Sequence, residues 1–314
     1  MNTKYILLLL IFIGFTACED DDSTTTIIDE TVALEPGSAD FSNFVSLGAS
    51  FTAGFTDSAL FIATQENSFP NILAQQFAKA GGGTFSQPLM NDNLGGIAAG
   101  GVQLPGSSVG PRLVFGGAGP VPITDLIGPA ISSTDLFVNN LTGPFNNMGV
   151  PGAKSFHLLS DSYGNIAGLG TFANPYFIRM ASSSSASMLG DALAQAPTFF
   201  TLSEIGGNDV LAYATSGGSG EDQTGNFNPA SYGGNDITDP IVFANAFDGI
   251  TSALTAGGAK GAVTTIPSIT SLPHFTTVTY NPVPLDAANA GALNAGYAAY
   301  NGALAATQGP NIPQ

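Results

Sequence analysis

Hydrophobic and polar positions follow two rhythms along this chain. Phe41-Ser42-Asn43-Phe44-Val45-Ser46-Leu47 is rich in apolar residues and stops at Gly48, which predicts a buried first strand. Residues 69–80 place Phe69, Ile72, Leu73 and Phe77 at helical spacing and end in Gly81-Gly82-Gly83, a helix with its stop. Further on, residues 182–196 read as a helix and residues 197–205 as a strong strand ending at Gly206-Gly207. A helix starts at Asn208, another spans 241–256, and a strand over 261–266 is closed by Pro267. Residues 284–307 form an Ala-rich helical pattern with Leu285, Leu293, Tyr297, Tyr300 and Leu304 on one side. Strands alternating with helices predict an α/β fold, a parallel sheet with helices on both faces. Two stretches break the rhythm: residues 84–145 and 216–240 are rich in Gly, Pro, Ser and Asn and read as long loop insertions, the first able to cover a site.

Charge changes the picture most. Only 9% of the 314 residues are charged, and 6 Lys and Arg against 23 Asp and Glu leave a net charge of −17. There is no basic patch for phosphates, so nucleic acid is not an expected partner. Electrostatic docking on anionic lipid is excluded on the same ground. The 40 glycines and 20 prolines predict many turns. A single cysteine, Cys18, allows no internal disulfide, and the two histidines, His157 and His274, show no metal-ligand spacing, so neither a metal nor a cofactor is expected.

The first residues carry one positive charge, then a short apolar run over 5–15, then Thr16-Ala17 before Cys18, the layout of a secretory signal. Phe15-Thr16-Ala17-Cys18 resembles the lipobox of bacterial lipoproteins. That resemblance implies a signal peptide over 1–17, acylation of Cys18, export, and membrane attachment through lipid, because several chains together anchor stably. The acidic run Glu19-Asp20-Asp21-Asp22 is similar to surface-export signals of Bacteroidota outer-membrane lipoproteins. Residues 18–40, acidic and Thr-rich, read as a tether to a domain over 41–314.

In parallel α/β sheets the ligand sits beyond the carboxyl ends of the strands. After the first strand comes Gly48-Ala49-Ser50-Phe51-Thr52-Ala53-Gly54, which offers a hydroxyl, a backbone N–H and a helix start suited to an oxyanion. After the later strand comes Gly206-Gly207-Asn208-Asp209, where Asn208 can aim its amide into the crevice and Asp209 can fix the loop. The copy Gly233-Gly234-Asn235-Asp236 follows no strand and reads as an ordinary turn. A third piece, Asn147-Met148-Gly149-Val150-Pro151-Gly152-Ala153, offers the bare N–H of Gly152.

Taken together, these three pieces resemble the blocks of the GDSL-type, or SGNH, esterase and lipase family. The resemblance implies a three-layer, flavodoxin-like fold, Ser50 as nucleophile, and an oxyanion hole from Ser50, Gly152 and Asn208. It implies a metal-free ester hydrolase acting on lipid or acylated-glycan esters. Two departures stand out. Ala49 replaces the usual Asp, and neither histidine has an Asp three residues before it, Lys154 and Ser271 standing there instead. The family's Asp-x-x-His is therefore expected beyond Gln314, with the last part of the domain, and these residues alone are expected to keep only residual activity. His157 reads as a partly buried structural histidine, and His274 as a substrate contact on the rim. Leu113-Val114-Phe115 reads as acyl pocket or core. The alternative is a non-catalytic glycan- or ligand-binding surface lipoprotein, which the lack of any Trp disfavours. A transmembrane β-barrel is excluded by the helical segments.

Overall fold

The computed structural model describes residues 34–138, 141–278 and 283–308. The chain divides into two compact units, Met1–Glu35 and Pro36–Gln314. The expected signal, Cys18 and most of the tether lie outside the described residues.

The second unit is an α/β domain built on a four-stranded parallel sheet. Its strands are β1 (Phe44–Gly48), β2 (Asn147–Gly149), β3 (Phe199–Leu202) and β4 (Lys260–Val263), in the spatial order β2-β1-β3-β4. The register pairs Leu47 with Met148 on one side and with Leu202 on the other. The chain extends the sheet outward from β1 in both directions, so the β1/β3 boundary is a topological switch point, the place where such sheets leave a crevice.

Alternation sorts the side chains into two faces. Val45, Leu47, Met148, Phe200 and Leu202 belong to one buried apolar cluster with Leu158, Met188, Leu189, Ile250 and Leu254. These partners come from the turn Ser155–Leu159, from α3 (Met188–Leu193) and from α5 (Pro240–Ala256). The opposite face carries Phe44, which packs with Phe199 against Phe77 of α2 (Phe69–Phe77). It is more polar toward the carboxyl end, where the Thr201 hydroxyl donates to Ser46 Oγ (2.7 Å). There α1 (Ser50–Ala53) lies directly on the sheet. A Cβ on Gly149 would stand 2.2 Å from the Ala53 nitrogen, and one on Gly48 2.0 Å from Thr52 Oγ1. The Asn147 carboxamide donates to the Thr52 carbonyl (2.8 Å) and fixes α1 from the side.

Several boundaries differ from the sequence expectation. The helix expected over 182–196 is reduced to Met188–Leu193, because Ser187 caps it and the Asp191 carboxylate accepts from the Ser182 N–H (3.0 Å). The pattern over 284–307 folds as two helices, Ala287–Gly296 and Ala298–Gln308. The break follows Gly296, a poor helix former, and Leu293, Tyr297 and Tyr300 remain exposed. The 84–145 insertion contains two small antiparallel ribbons, Ala98–Ala99 with Val102–Gln103 and Leu113–Phe115 with Pro120–Pro122. It packs beside the Ile62–Glu66 helix, where the Gln65 side chain binds Pro88 and Met90. Phe115 is 75% exposed, so its ribbon strand is not core.

Candidate functional site

Ser50 sits at the first position of α1, just past β1, half-buried. Among the described residues its hydroxyl makes no hydrogen bond. Ala49, the residue before it, has no side-chain acceptor for the free N–H groups of the turn. Those groups are satisfied from elsewhere: Glu204 Oε1 accepts from the Ala49 N–H (2.5 Å) and the Thr52 N–H (3.1 Å), and Oε2 from the Phe51 N–H (2.9 Å). The Ala49 carbonyl accepts from the Ala53 N–H (3.0 Å). Since N–H and C=O of one trans peptide point opposite ways, the Ser50 N–H points out of the turn, and it donates to no described residue.

The helix start was expected to lend a dipole to an oxyanion. It lends little, because α1 has only 4 residues and a carboxylate already occupies three of the N–H groups around Ser50. What the turn offers is one directed N–H.

Gly152 is exposed in the loop after β2, with φ +81, a conformation that disfavours any side chain. The loop is held at two carbonyls, one on either side of Gly152. The Asn174 carboxamide donates to the Pro151 carbonyl (2.8 Å), which belongs to the same peptide unit as the Gly152 N–H. The Asn208 carboxamide donates to the Ala153 carbonyl (2.9 Å). Thus Asn208, first residue of α4 (Asn208–Thr215), reaches across to the Gly152 loop, and the Gly152 N–H is left without an acceptor among the described residues. Sequence reasoning missed Asn174; only its place before Pro175 at a helix start hinted at a cap.

Asp209, expected to fix its own turn, reaches instead to the Ser155 turn after β2. It is buried and accepts from the Ser155 N–H (2.9 Å) and hydroxyl (2.7 Å). Beside it lies buried Lys154, whose ammonium donates to the Asp236 carbonyl (2.8 Å). Burial pulls the Lys154 pKa down, while Asp209 and Asp236 pull it back up. In the second Gly-Gly-Asn-Asp copy, Asp236 accepts from Gly233 and Glu221 N–H groups, the bonding of a structural turn.

The pattern over 197–205 places Glu204 in a strand. Glu204 lies beyond β3, with φ +55, the left-handed region that a glutamate rarely adopts. Burial holds the carboxyl pKa above its ordinary value, although the three N–H donors pull against it. Hydrogen bonds to a charged acceptor contribute about 1.5–3 kcal/mol each. That offsets a backbone cost of about 1–3 kcal/mol.

Neither histidine approaches Ser50 through any described contact. His157 Nδ1 accepts from the Lys154 N–H (3.1 Å), and its ring stacks on Tyr163 with centroids 4.2 Å apart. Burial, then the Lys154 charge, pull its pKa down to about 3. A base depressed below its unfolded value near 6.5 resists protonation only when folded. Its stabilising contribution is therefore complete above pH 6.5 and is lost as pH falls toward 3, at about 1.4 kcal/mol per pH unit. Urea unfolding should be flat in this respect above pH 6.5 and approach this slope between pH 6 and 5, and His157→Phe should flatten it. His274 is exposed beyond β4 in the short helix Pro273–Thr276, and among the described residues Phe275 is its only ring neighbour.

A hollow of about 640 Å³ flanks α1, lined by Phe51, Phe55, Phe69, Thr64, Ser203 and Thr264. Leu113–Phe115, for which an acyl pocket and core are both open from the sequence, does not line it. A larger hollow of about 860 Å³ opens by Asn43, Phe145 and Gln195, at the amino ends of the strands, away from the crevice. Compared with known proteins, the chain matches no family model, no curated protein and no solved structure.

Proposed function

We propose that this chain carries the nucleophile and oxyanion site of a serine ester hydrolase of the SGNH type. The observation that carries this reading is the bond from the Asn208 carboxamide to the Ala153 carbonyl. It ties the end of β3 to the Gly152 loop at the end of β2, on either side of Ser50 at the end of β1. This reading assigns the N–H groups of Ser50 and Gly152 and the second N–H of the Asn208 amide to one oxyanion. The strand order β2-β1-β3-β4 supports the flavodoxin-like form of the fold, whose doubly wound order begins 2-1-3-4.

In this mechanism Ser50 Oγ attacks the ester carbonyl and the tetrahedral oxygen is held by those donors. The alcohol leaves with a proton returned by a general base, and water then releases the acid. This chemistry requires a general base and its orienting acid, and no Asp-x-x-His occurs within the 314 residues. The aromatic lining of the hollow beside α1 suits an acyl chain. No metal or cofactor takes part. Lipidation at Cys18 would hold the enzyme at the outer membrane, where lipid or acylated-glycan esters are at hand.

The test is hydrolysis of p-nitrophenyl esters by the complete gene product. Turnover is expected, and Asn208→Ala should lower kcat by about 10²–10³-fold, the effect of removing one oxyanion donor. No turnover, or an Asn208→Ala variant as fast as the parent, would overturn the proposal. Binding of glycans without turnover would favour a binding lipoprotein instead.

A further inference from the structure

Resting on the reading of Ser50 as nucleophile, we propose that Glu204 is the positioning residue of the nucleophile turn. Its carboxylate fixes the backbone on both sides of Ser50, so that the Ser50 N–H and hydroxyl keep their aim. The turn cannot cap itself, because Ala49 carries no polar side chain. The acceptor is supplied from 155 positions away, and it uses both oxygens on Ala49, Phe51 and Thr52 while leaving the Ser50 N–H free.

Glu204 is itself held firmly. Its N–H donates to Thr264 Oγ1 (3.1 Å), just past β4, and its carbonyl accepts from the Gly207 N–H (3.0 Å), one residue before Asn208. One residue therefore links the ends of β1, β3 and β4 and sets the nucleophile turn against the start of the Asn208 helix. The left-handed backbone at Glu204 is strain retained beside a site, and it turns the side chain under the Ser50 turn. No hydrogen bond joins the Ser50 hydroxyl to Glu204, so the carboxylate positions and does not take the proton.

The test uses steady-state hydrolysis of p-nitrophenyl butyrate by the complete gene product, with melting temperatures recorded for every variant. Glu204→Ala is expected to lower kcat by about 100-fold, the scale of a misplacement of about 1 Å, with KM within about twofold. Glu204→Gln keeps one acceptor oxygen and should fall between, about tenfold down. Added formate should restore Glu204→Ala by about tenfold, since a free carboxylate can occupy the vacated acceptor position. It should do nothing for Ser50→Ala.

Parental kcat in Glu204→Ala, a change in KM instead of kcat, or no response to formate would each overturn the proposal. If Glu204→Ala does not fold, Glu204→Gln decides: parental kcat overturns, a tenfold loss at unchanged KM supports. Failure of the underlying reading looks different. In that case the parent does not turn over, or Ser50→Ala hydrolyses as fast as the parent.

Discussion

Ser50→Ala is expected to abolish ester hydrolysis by the complete gene product while leaving its melting temperature unchanged. The side chain is half-buried, and its hydroxyl bonds to no described residue, so its removal leaves no buried partner unsatisfied. Its backbone N–H stays in the turn held by Glu204. What disappears is the oxygen proposed to form the acyl-enzyme. Where a full triad operates, loss of the nucleophile costs about 10⁶-fold in kcat, and the oxyanion donors alone leave about 10³–10⁴-fold over water. Activity in Ser50→Ala should therefore fall to the level these donors sustain. Retention of parental rates would mean that hydrolysis occurs elsewhere.

Gly149→Ala is expected to damage both stability and activity, although residue 149 touches no substrate. The added Cβ would stand 2.2 Å from the Ala53 nitrogen, 2.6 Å from the Thr52 carbonyl carbon and 2.8 Å from the Ala53 Cα. All three are backbone atoms of α1 and cannot rotate aside. The helix would have to lift off the sheet, break the Asn147 bond to the Thr52 carbonyl, and drag the Ala49–Thr52 turn away from Glu204. Overpacking typically costs about 1–3 kcal/mol, and a backbone clash lies at the upper end. Against a total stability of about 5–15 kcal/mol this is a large fraction. Urea unfolding followed by far-ultraviolet circular dichroism should show a lowered midpoint. Hydrolysis should be largely lost even where the variant is folded, because Ser50 moves with the helix. A midpoint and kcat equal to the parent would show that α1 is not seated as described.

Some of this was legible in the sequence because it obeys one local rule. The strand Phe44–Gly48 is buried throughout and ends where Gly48 permits α1 to approach. The helix Phe69–Phe77 continues as a tight turn to Ala80 and stops at the glycines that signalled it. Other parts depend on contacts that no local pattern encodes. Strand β2 has only 3 residues, without periodicity, and forms because Ser46 and Leu47 offer it a partner edge. Glu204 was hidden in an apolar run that reads as strand to Ile205. The warning was a carboxylate between buried residues, which needs a partner from elsewhere in the chain. The peptide carrying the Gly152 N–H is oriented by Asn174, and Asn208 holds the next carbonyl but one, both from segments remote in sequence. The exposed faces of the Ala287–Gly296 and Ala298–Gln308 helices show the reverse case, a readable apolar pattern without a described core to bury it.

The central claim is that Ser50 is an activated nucleophile beside donors from the ends of three neighbouring strands. Treatment of the complete gene product with a fluorophosphonate, followed by peptide mass analysis, tests it most directly. The account predicts one phosphonyl adduct, on the peptide bearing Ser50, formed far more slowly in Asn208→Ala. An unmodified Ser50, or an adduct on another serine instead, would contradict it.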